Sequence, residues 1–416
     1  MRIAFINTLD MSGGAAIVTQ RLMKKLNEVY GSENYLLVKE KKGNTNNTHQ
    51  ILSSHVEINA EKIIERISRS LGLLYQFFPF SSRSMLKAVG LFKPDIINLH
   101  NTQGGYFATP LLQELSRIAP IVWTLHDMWS FTGNASHTFG NTSWKHLKND
   151  TVLKKIPPAI GINTGAWLLR QKKKIYNSSD LTVVAPSRWL QELALQSPVF
   201  EDKIVHHIYN GIDNKVFRKK DKQLSKLKLK LLAGCKTVMF SSHFLDKDNP
   251  WKGGMHLREI LERINVNAGE KINLLILGEG KPEELDSLSN FNIFYKGYIR
   301  DEEMMVDCLN AADLFIYPTR ADNLPNVLIE SIACGTPCIT FDIGGNSEII
   351  KNGYNGLIIQ PFNFDAFSEN TIALLKNEEQ LASFSTNCLS VTRQSFLIAS
   401  MAEKYYQLFK ELSAGN

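Results

Sequence analysis

A chain of 416 residues is too long for one ordinary hydrophobic core, so about two or three domains are expected. Its hydrophobic share, 44%, is that of a soluble globular protein, and no apolar run reaches the ~18 residues of a membrane span. The net charge of +6 is modest and has no nucleic-acid-binding motif beside it, which argues against a nucleic-acid partner.

In chain order, "MRIAFINTLDMSGG" reads as a buried strand running into a glycine turn, without the basic leader and cleavage site of a signal peptide. A helix, "AAIVTQRLMKKLNEV", and a second strand, "NYLLVK", follow. Residues 56–93 form a long amphipathic stretch whose aromatic cluster around Leu73–Phe80 suits a core, a lid or a membrane-facing surface. "PDIINLHN" and "PIVWTLHD" are two more strands, each closing on a histidine. From Lys145 to Lys174 the chain carries Lys145, Lys148, Lys154, Lys155, Arg170, Lys172, Lys173 and Lys174 against Asp150 alone. Such a run is usually a solvated face, and beside the apolar residues of "AWLLRQKKK" it also suits an anionic membrane surface. "LTVVAPS" closes the first series of strands.

The second half repeats the alternation with "KTVMFSSHF", "INLLILGEG", "FNIFYKGY", "LFIYPT", "PCITFDI" and "GLIIQ". Strands alternating with helices predict α/β architecture with parallel sheets, here two doubly wound Rossmann-like domains facing across a cleft. The predicted divisions are residues 1–207, an Asn-Gly-containing charged linker at 208–224, a second domain at 225–392, and a terminal helix at 393–416 that packs back on the first. Five widely spaced cysteines with no histidine at ligand spacing read as reduced thiols in a cytoplasmic protein, with no metal site.

The candidate chemistry sits in the turns. Gly13 and Gly14 precede a helix whose N-terminus favours an anion, although a Gly-Gly pair is more often only a turn. Gly278 and Gly280 in "LGEGKPEE" lack the third glycine of a dinucleotide fingerprint. His126, like His100, ends a strand, where doubly wound sheets gather ligands; a satisfied core histidine is the alternative. Lys252 in "NPWKGG" suits a diphosphate or a plain surface loop. Asp322 and Glu330 bracket the Leu-Pro turn and short helix of "ADNLPNVLIESIACGTPC", either as solvated acids or as paired acceptors for sugar and ribose hydroxyls.

The stretch "ADNLPNVLIESIACGTPCITFDIGGNSEII" resembles the C-terminal signature of the retaining glycosyltransferases of family 4, enzymes of the GT-B fold. The glycine pair at Gly13 and Gly14, "TLHDMWSFTG", "YNGID", "WKGG" and "LLILGEG" match in order, so the resemblance covers nearly the whole chain. It implies that Glu330 holds the nucleotide ribose. Asp322, with backbone N–H groups around Asn323, Leu324 and Pro325, would hold the transferred sugar. Lys252 and the amide of Gly14 would bind the diphosphate, and His126 would lie beside the sugar. Asp322 replaces the family's usual Glu, and no Arg stands shortly before Lys252, where Lys247 is the nearest substitute. The cysteine cluster that often follows the His-Asp-Met-Trp motif is also absent.

The expected reaction is retaining transfer of a sugar from a UDP- or GDP-type nucleotide sugar to a hydroxyl of a glycan or lipid-linked acceptor in cell-surface polysaccharide biosynthesis. No cofactor or metal is expected, and the enzyme would be cytoplasmic or peripheral at the inner membrane face. The rivals are a catalytically degenerate assembly partner and a nucleotide-sugar epimerase on the same fold.

Overall fold

The computed structural model describes residues 1–43, 45–150, 158–245, 251 and 253–415. Lys154, Lys155, Lys247 and Lys252 lie outside these residues. The chain divides into two compact units, Met1–Gly211 with Ala399–Asn416, and Ile212–Ile398.

The first unit contains β1 (Arg2–Leu9), α1 (Gly14–Tyr30), β2 (Glu33–Glu40), β3 (Thr48–Gln50), α2 (His55–Ser70), α3 (Pro79–Phe92) and β4 (Ile96–Leu99). It continues with α4 (Leu111–Leu115), β5 (Ile121–Thr124), α5 (Gly165–Asn177), β6 (Leu181–Ala185), α6 (Arg188–Leu195) and β7 (Val205–His207). Its strands form one parallel sheet in the order β3-β2-β1-β4-β5-β6-β7. Ile3, Ala4, Phe5 and Ile6 of β1 are fully buried, as a strand covered on both faces requires. Because β1 has β2 on one side and β4 on the other, the chain reverses its winding there. The loops after β1 and β4 therefore open a crevice at the carboxyl edge.

The amphipathic stretch resolves into two helices, with Pro79 in the first turn of α3, where a missing N–H is harmless. Its aromatic cluster divides: Leu74, Tyr75 and Phe78 enter the core, while Phe77 and Phe80 stay exposed.

The second unit contains α7 (Lys222–Lys228), β8 (Lys236–Phe244), α8 (Gly254–Asn267), β9 (Ile272–Glu279), β10 (Phe291–Tyr295), α9 (Glu302–Ala311) and β11 (Leu314–Tyr317). α10 (Asn326–Ala333), β12 (Cys338–Phe341), α11 (Asn346–Ile349), β13 (Gly356–Ile359), α12 (Phe364–Lys376) and α13 (Glu378–Ser395) complete it. The parallel sheet runs β10-β9-β8-β11-β12-β13, and its winding reverses between β8 and β11. The charged segment around α7 is bound into this unit. Lys222 and Lys226 grip the buried Asp313 at 2.7 and 2.9 Å, and Lys220 reaches Asp307 at 2.8 Å. Burial alone would raise the Asp313 carboxyl, but the two ammonium groups hold it below its ordinary value.

α14 (Ile398–Ala414) ends the chain, and from Ala399 onward it belongs to the first unit. Its Tyr405 hydroxyl bonds Thr124 Oγ1 of β5 at 2.8 Å, and Tyr406 stacks on Tyr30 of α1 with ring centroids 3.9 Å apart. Burying Tyr405 and Phe409 contributes on the order of 3–6 kcal/mol to holding this helix. All five cysteines are free thiols, four of them buried. Among the described residues no helix is long and apolar enough to cross a membrane.

Candidate active site

The helices that leave the two winding reversals share one feature. α1, α8 and α10 follow β1, β8 and β11, and none has a side-chain cap or an acidic residue in its first turn, a property they share with α3 and α5. By contrast α2, α6, α7, α9, α12 and α13 are each capped by a Ser, Asp or Asn side chain. The start of such a helix carries the partial positive charge that favours an anion, with no acidic side chain in its first turn to offset it.

In the second unit, three segments are locked together at this edge. The carbonyl of Trp251 accepts the backbone N–H of Arg320 at 2.9 Å, that of Ala321 at 3.2 Å, and the Thr319 hydroxyl at 3.0 Å. The turn after it needs glycine: Gly253 has φ +71°, and a Cβ there would meet the Pro318 carbonyl at 1.9 Å. On the other side, Gly345 N–H donates to the Asn323 carbonyl at 2.7 Å. Gly344, at φ +60°, lies so close that a Cβ would come within 1.8 Å of the Asp322 carbonyl. Residues 318–325 are thus clamped between two glycine turns.

Within that clamp Asp322 Oδ2 accepts the Tyr317 hydroxyl and Oδ1 accepts the Asn323 backbone N–H at 2.9 Å. These two hydrogen bonds fix the direction of the Asp322 carboxylate. Glu330 lies one turn into α10 and is 7% exposed. The phenol of Tyr298 is raised by burial and further by the charges of Glu279 and Glu330, with Arg300 opposing, so these four side chains share one electrostatic neighbourhood.

In the first unit, a chain of hydrogen bonds fixes His126. Asn98 Nδ2 donates to the Val122 carbonyl at 2.8 Å and to Thr124 Oγ1 at 3.2 Å, which turns its Oδ1 toward His100 Nε2, 2.9 Å away. Oδ1 can only accept, so His100 carries its proton on Nε2. Burial lowers both imidazoles, His126 to about 4, and keeps them neutral. A neutral His100 must then accept at Nδ1, and the atom 2.9 Å away is His126 Nε2. His126 therefore donates there, which makes its Nδ1 an unprotonated acceptor.

Beside it Asp127 receives Trp129 N–H at 2.8 Å and Gln103 Nε2 at 2.5 Å, and burial still pushes it up to about 6. Lys172 is fully enclosed: its ammonium donates to the carbonyls of Trp129 and Thr132 and lies 3.8 Å over the Trp129 ring. Burial lowers it well below the usual lysine range, with the Asp127 charge opposing.

Two family models match this chain, "Glycosyltransferase Family 4" over residues 12–216 and "Glycosyl transferases group 1" over residues 235–377. The chain belongs to the family 4, group 1 glycosyltransferases. It is 24% identical over 251 residues to an uncharacterized glycosyltransferase of Methanocaldococcus jannaschii, a match covering 58% of this chain and 60% of that one. It is also 24% identical over 299 residues to WcaC of Escherichia coli, provisionally named as a colanic acid biosynthesis glycosyl transferase, covering 70% and 68%. Among solved structures, sucrose-phosphate synthase from Thermosynechococcus elongatus matches with TM-score 0.73 at 16% identity over the whole of both chains. HepE of Anabaena, in complex with UDP and glucose, matches with TM-score 0.66 at 16% identity over 99% and 100%. The two parallel-sheet units are those of the GT-B fold.

In this glycosyltransferase the residues singled out from sequence fall into two groups. Asp322, Asn323, Leu324, Pro325 and Glu330 share one loop and helix, onto which the Trp251–Gly253 turn is seated. Lys252 itself lies outside the described residues. Gly278 is at the neighbouring strand end, with its N–H bonded to the Gly297 carbonyl at 2.9 Å. Gly13 caps α1, Gly14 begins it, and His126 stands after β5, all in the first unit. The basic run from Lys145 to Lys174 is not one solvated face. Lys172 is buried, Lys173 pairs with Glu201 at 2.6 Å and Lys145 donates to Gln196 at 2.5 Å.

Several residues went unread in the sequence. Arg320 is brought to the Trp251 carbonyl by its own backbone, and its charge reaches His256 in the first turn of α8. No Arg stands shortly before Lys252 in the sequence, and Arg320 lies 68 residues after it. Tyr317, which aims Asp322, looked like an ordinary strand residue; its position at the last residue of β11 was the available signal.

Proposed function

We propose that this chain transfers a sugar from a nucleotide-diphosphate donor to a hydroxyl of a glycan or glycolipid acceptor, with retention of anomeric configuration. The observation that carries the donor assignment is the clamped 318–325 loop, which sets Asp322 and Glu330 around the uncapped start of α10. Glu330 would take the two ribose hydroxyls, as a carboxylate receives a vicinal diol. Asp322 would take hydroxyls of the transferred sugar. Lys252, Arg320 and the N-termini of α1 and α8 would meet the diphosphate, whose charge grows as the glycosidic bond breaks. Arg320 stands in for the arginine that this sequence lacks before Lys252.

The acceptor oxygen bonds to the anomeric carbon on the face from which the diphosphate departs, and its proton passes to the leaving phosphate oxygen. His126 would offer its Nδ1 to a sugar hydroxyl. Asp127, held by Gln103 and Trp129, would anchor the loop that carries it. The structural match to a chain in complex with UDP and glucose supports a UDP-type donor, and the match to WcaC supports a role in surface polysaccharide synthesis.

The test is release of nucleoside diphosphate from a panel of UDP-, GDP- and ADP-sugars, with product anomers read by NMR, with and without membrane lipid. One donor turned over with retention is the expected result. Binding without turnover under every acceptor would favour a degenerate partner. Interconversion of the donor sugar without an acceptor would favour an epimerase. Failure to bind any donor would sink the proposal.

A further inference from the structure

Helix α2 is amphipathic with its faces reversed. Glu57, Glu61 and Glu65 recur every four residues and so share one side of the helix, and that side is turned toward the protein. Glu61 is buried and accepts the Ser81 backbone N–H at the start of α3 at 2.8 Å. Glu65 pairs with Arg69 at 2.6 Å and its carboxylate lies against Gly105. The opposite side carries Val56, Ile63 and Ile67, which are 78%, 59% and 54% exposed, and Leu71 continues the stripe just past the helix end. Lys62 and Arg66 are exposed along one flank of the isoleucines.

A second element extends this surface. Gly161 N–H donates to the Arg69 carbonyl at 2.9 Å and the Thr164 hydroxyl donates to the Gly72 carbonyl, which seats residues 161–164 on the end of α2. From there Ile162 and Trp167 are exposed, and Arg170 and Lys174 follow Trp167 at helical spacing on α5. Every charged residue exposed on α2 and α5 is a cation.

We propose that this face docks the protein on a membrane of anionic lipid. Single exposed apolar residues are ordinary, but a line of four with aromatic and aliphatic neighbours is an interaction surface. Its charges decide the occupant. Apolar side chains entering the boundary between headgroups and acyl chains, with Lys and Arg reaching back to anionic headgroups, use both halves of the pattern. A second copy would set the cations of one patch against those of the other. The proposal stands apart from the donor reading, because none of these residues belongs to the candidate site.

The test is flotation of the full-length protein with phosphatidylcholine vesicles, with and without phosphatidylglycerol as about a third of the lipid. The expected result is flotation with the anionic vesicles and little or none with the neutral ones. I63D/I67D and K62E/R66E should each reduce the floated fraction at least about tenfold, since apolar and cationic contributions act together. Donor binding and thermal unfolding should stay as in the unaltered protein, and L227D/V266D, at exposed apolar positions of the second unit, should float normally. As an independent reading, brominated lipid should quench tryptophan emission less in W167F. Equal flotation of the α2 variants, equal binding to both vesicle types, or no flotation would overturn the proposal. A concentration-dependent dimer abolished by I63D/I67D would overturn it in favour of self-association.

Discussion

The two units repeat one topology, a parallel sheet whose winding reverses beside its central strand, yet they equip that reversal differently. In the second unit the edge is built from charge and uncapped backbone: Asp322, Glu330, Arg320 and the starts of α8 and α10. In the first unit it also holds a neutral, buried imidazole pair, tied through Asn98 and Thr124 to the C-terminal helix and flanked by the buried Asp127. The lesson is that the fold supplies a place and the side chains decide whether that place attracts charge or presents a fixed, uncharged acceptor. Changes at the second unit's Asp322 loop and α10 should therefore weigh most on nucleotide affinity, and changes at the first unit's imidazole pair should weigh most on transfer.

The largest effect that would sharpen this division is at Glu330. E330A removes a charged acceptor of two hydroxyls, so nucleotide affinity should fall by roughly 10²–10⁴-fold, with transfer lost. Calorimetric titration of the donor checks this, and unchanged affinity would break the comparison at its strongest point.

Next comes acid stability, which belongs to the first unit. The His126 pKa is lowered in the folded state to about 4, so below pH ~6.5 the unfolded chain takes up a proton that the folded chain refuses. Stability from this source is present above the ordinary histidine pKa and is lost as pH falls toward 4, by up to about 3 kcal/mol. Denaturant unfolding between pH 7 and 4.5 should show the decline, and H126Q should make it shallower, leaving the contribution of His100.

A smaller effect tests the tautomer chain. In ¹⁵N spectra His126 should appear protonated at Nε2 and unprotonated at Nδ1. H100F keeps a ring against Phe5 but removes both nitrogens, so that signature should become mixed. Transfer should drop about tenfold, near the ~1.5 kcal/mol of one hydrogen bond, at unchanged affinity for the nucleoside diphosphate. An unaltered His126 tautomer in H100F would show that His100 does not set it.

The smallest expected change is at Arg320. R320A should raise the donor KM about threefold to fivefold, and R320K should recover part of it, because Lys restores the charge but not the fork. No change in R320A would return the second phosphate charge to a residue nearer Lys252.

Much of this was legible in the amino-acid order. Largely apolar runs such as "RIAFINT" and "INLLILG" declare strands covered on both faces, and the glycine turns after β1 and before α8 mark where a ligand can approach. β3 and β7 were not, because three residues give too little periodicity to separate a strand from a loop. The run from Lys145 to Lys174 misled for a different reason. Charge is read from composition, but Lys172 has a tryptophan ring and two carbonyls close enough to enclose it, which only the folded chain reveals.

By itself, then, the sequence determined the alternation of strands and helices, the positions of the turns and the residue types placed in them, since these follow from local periodicity and backbone freedom. Only the tertiary structure decided which partners those residues met. It brought Arg320 to Trp251, aimed Asp322 with Tyr317, settled the protons of His100 and His126, and turned the acids of α2 inward. Hydrogen-bond direction and burial depend on atoms that are distant in the chain, and local pattern carries no record of them.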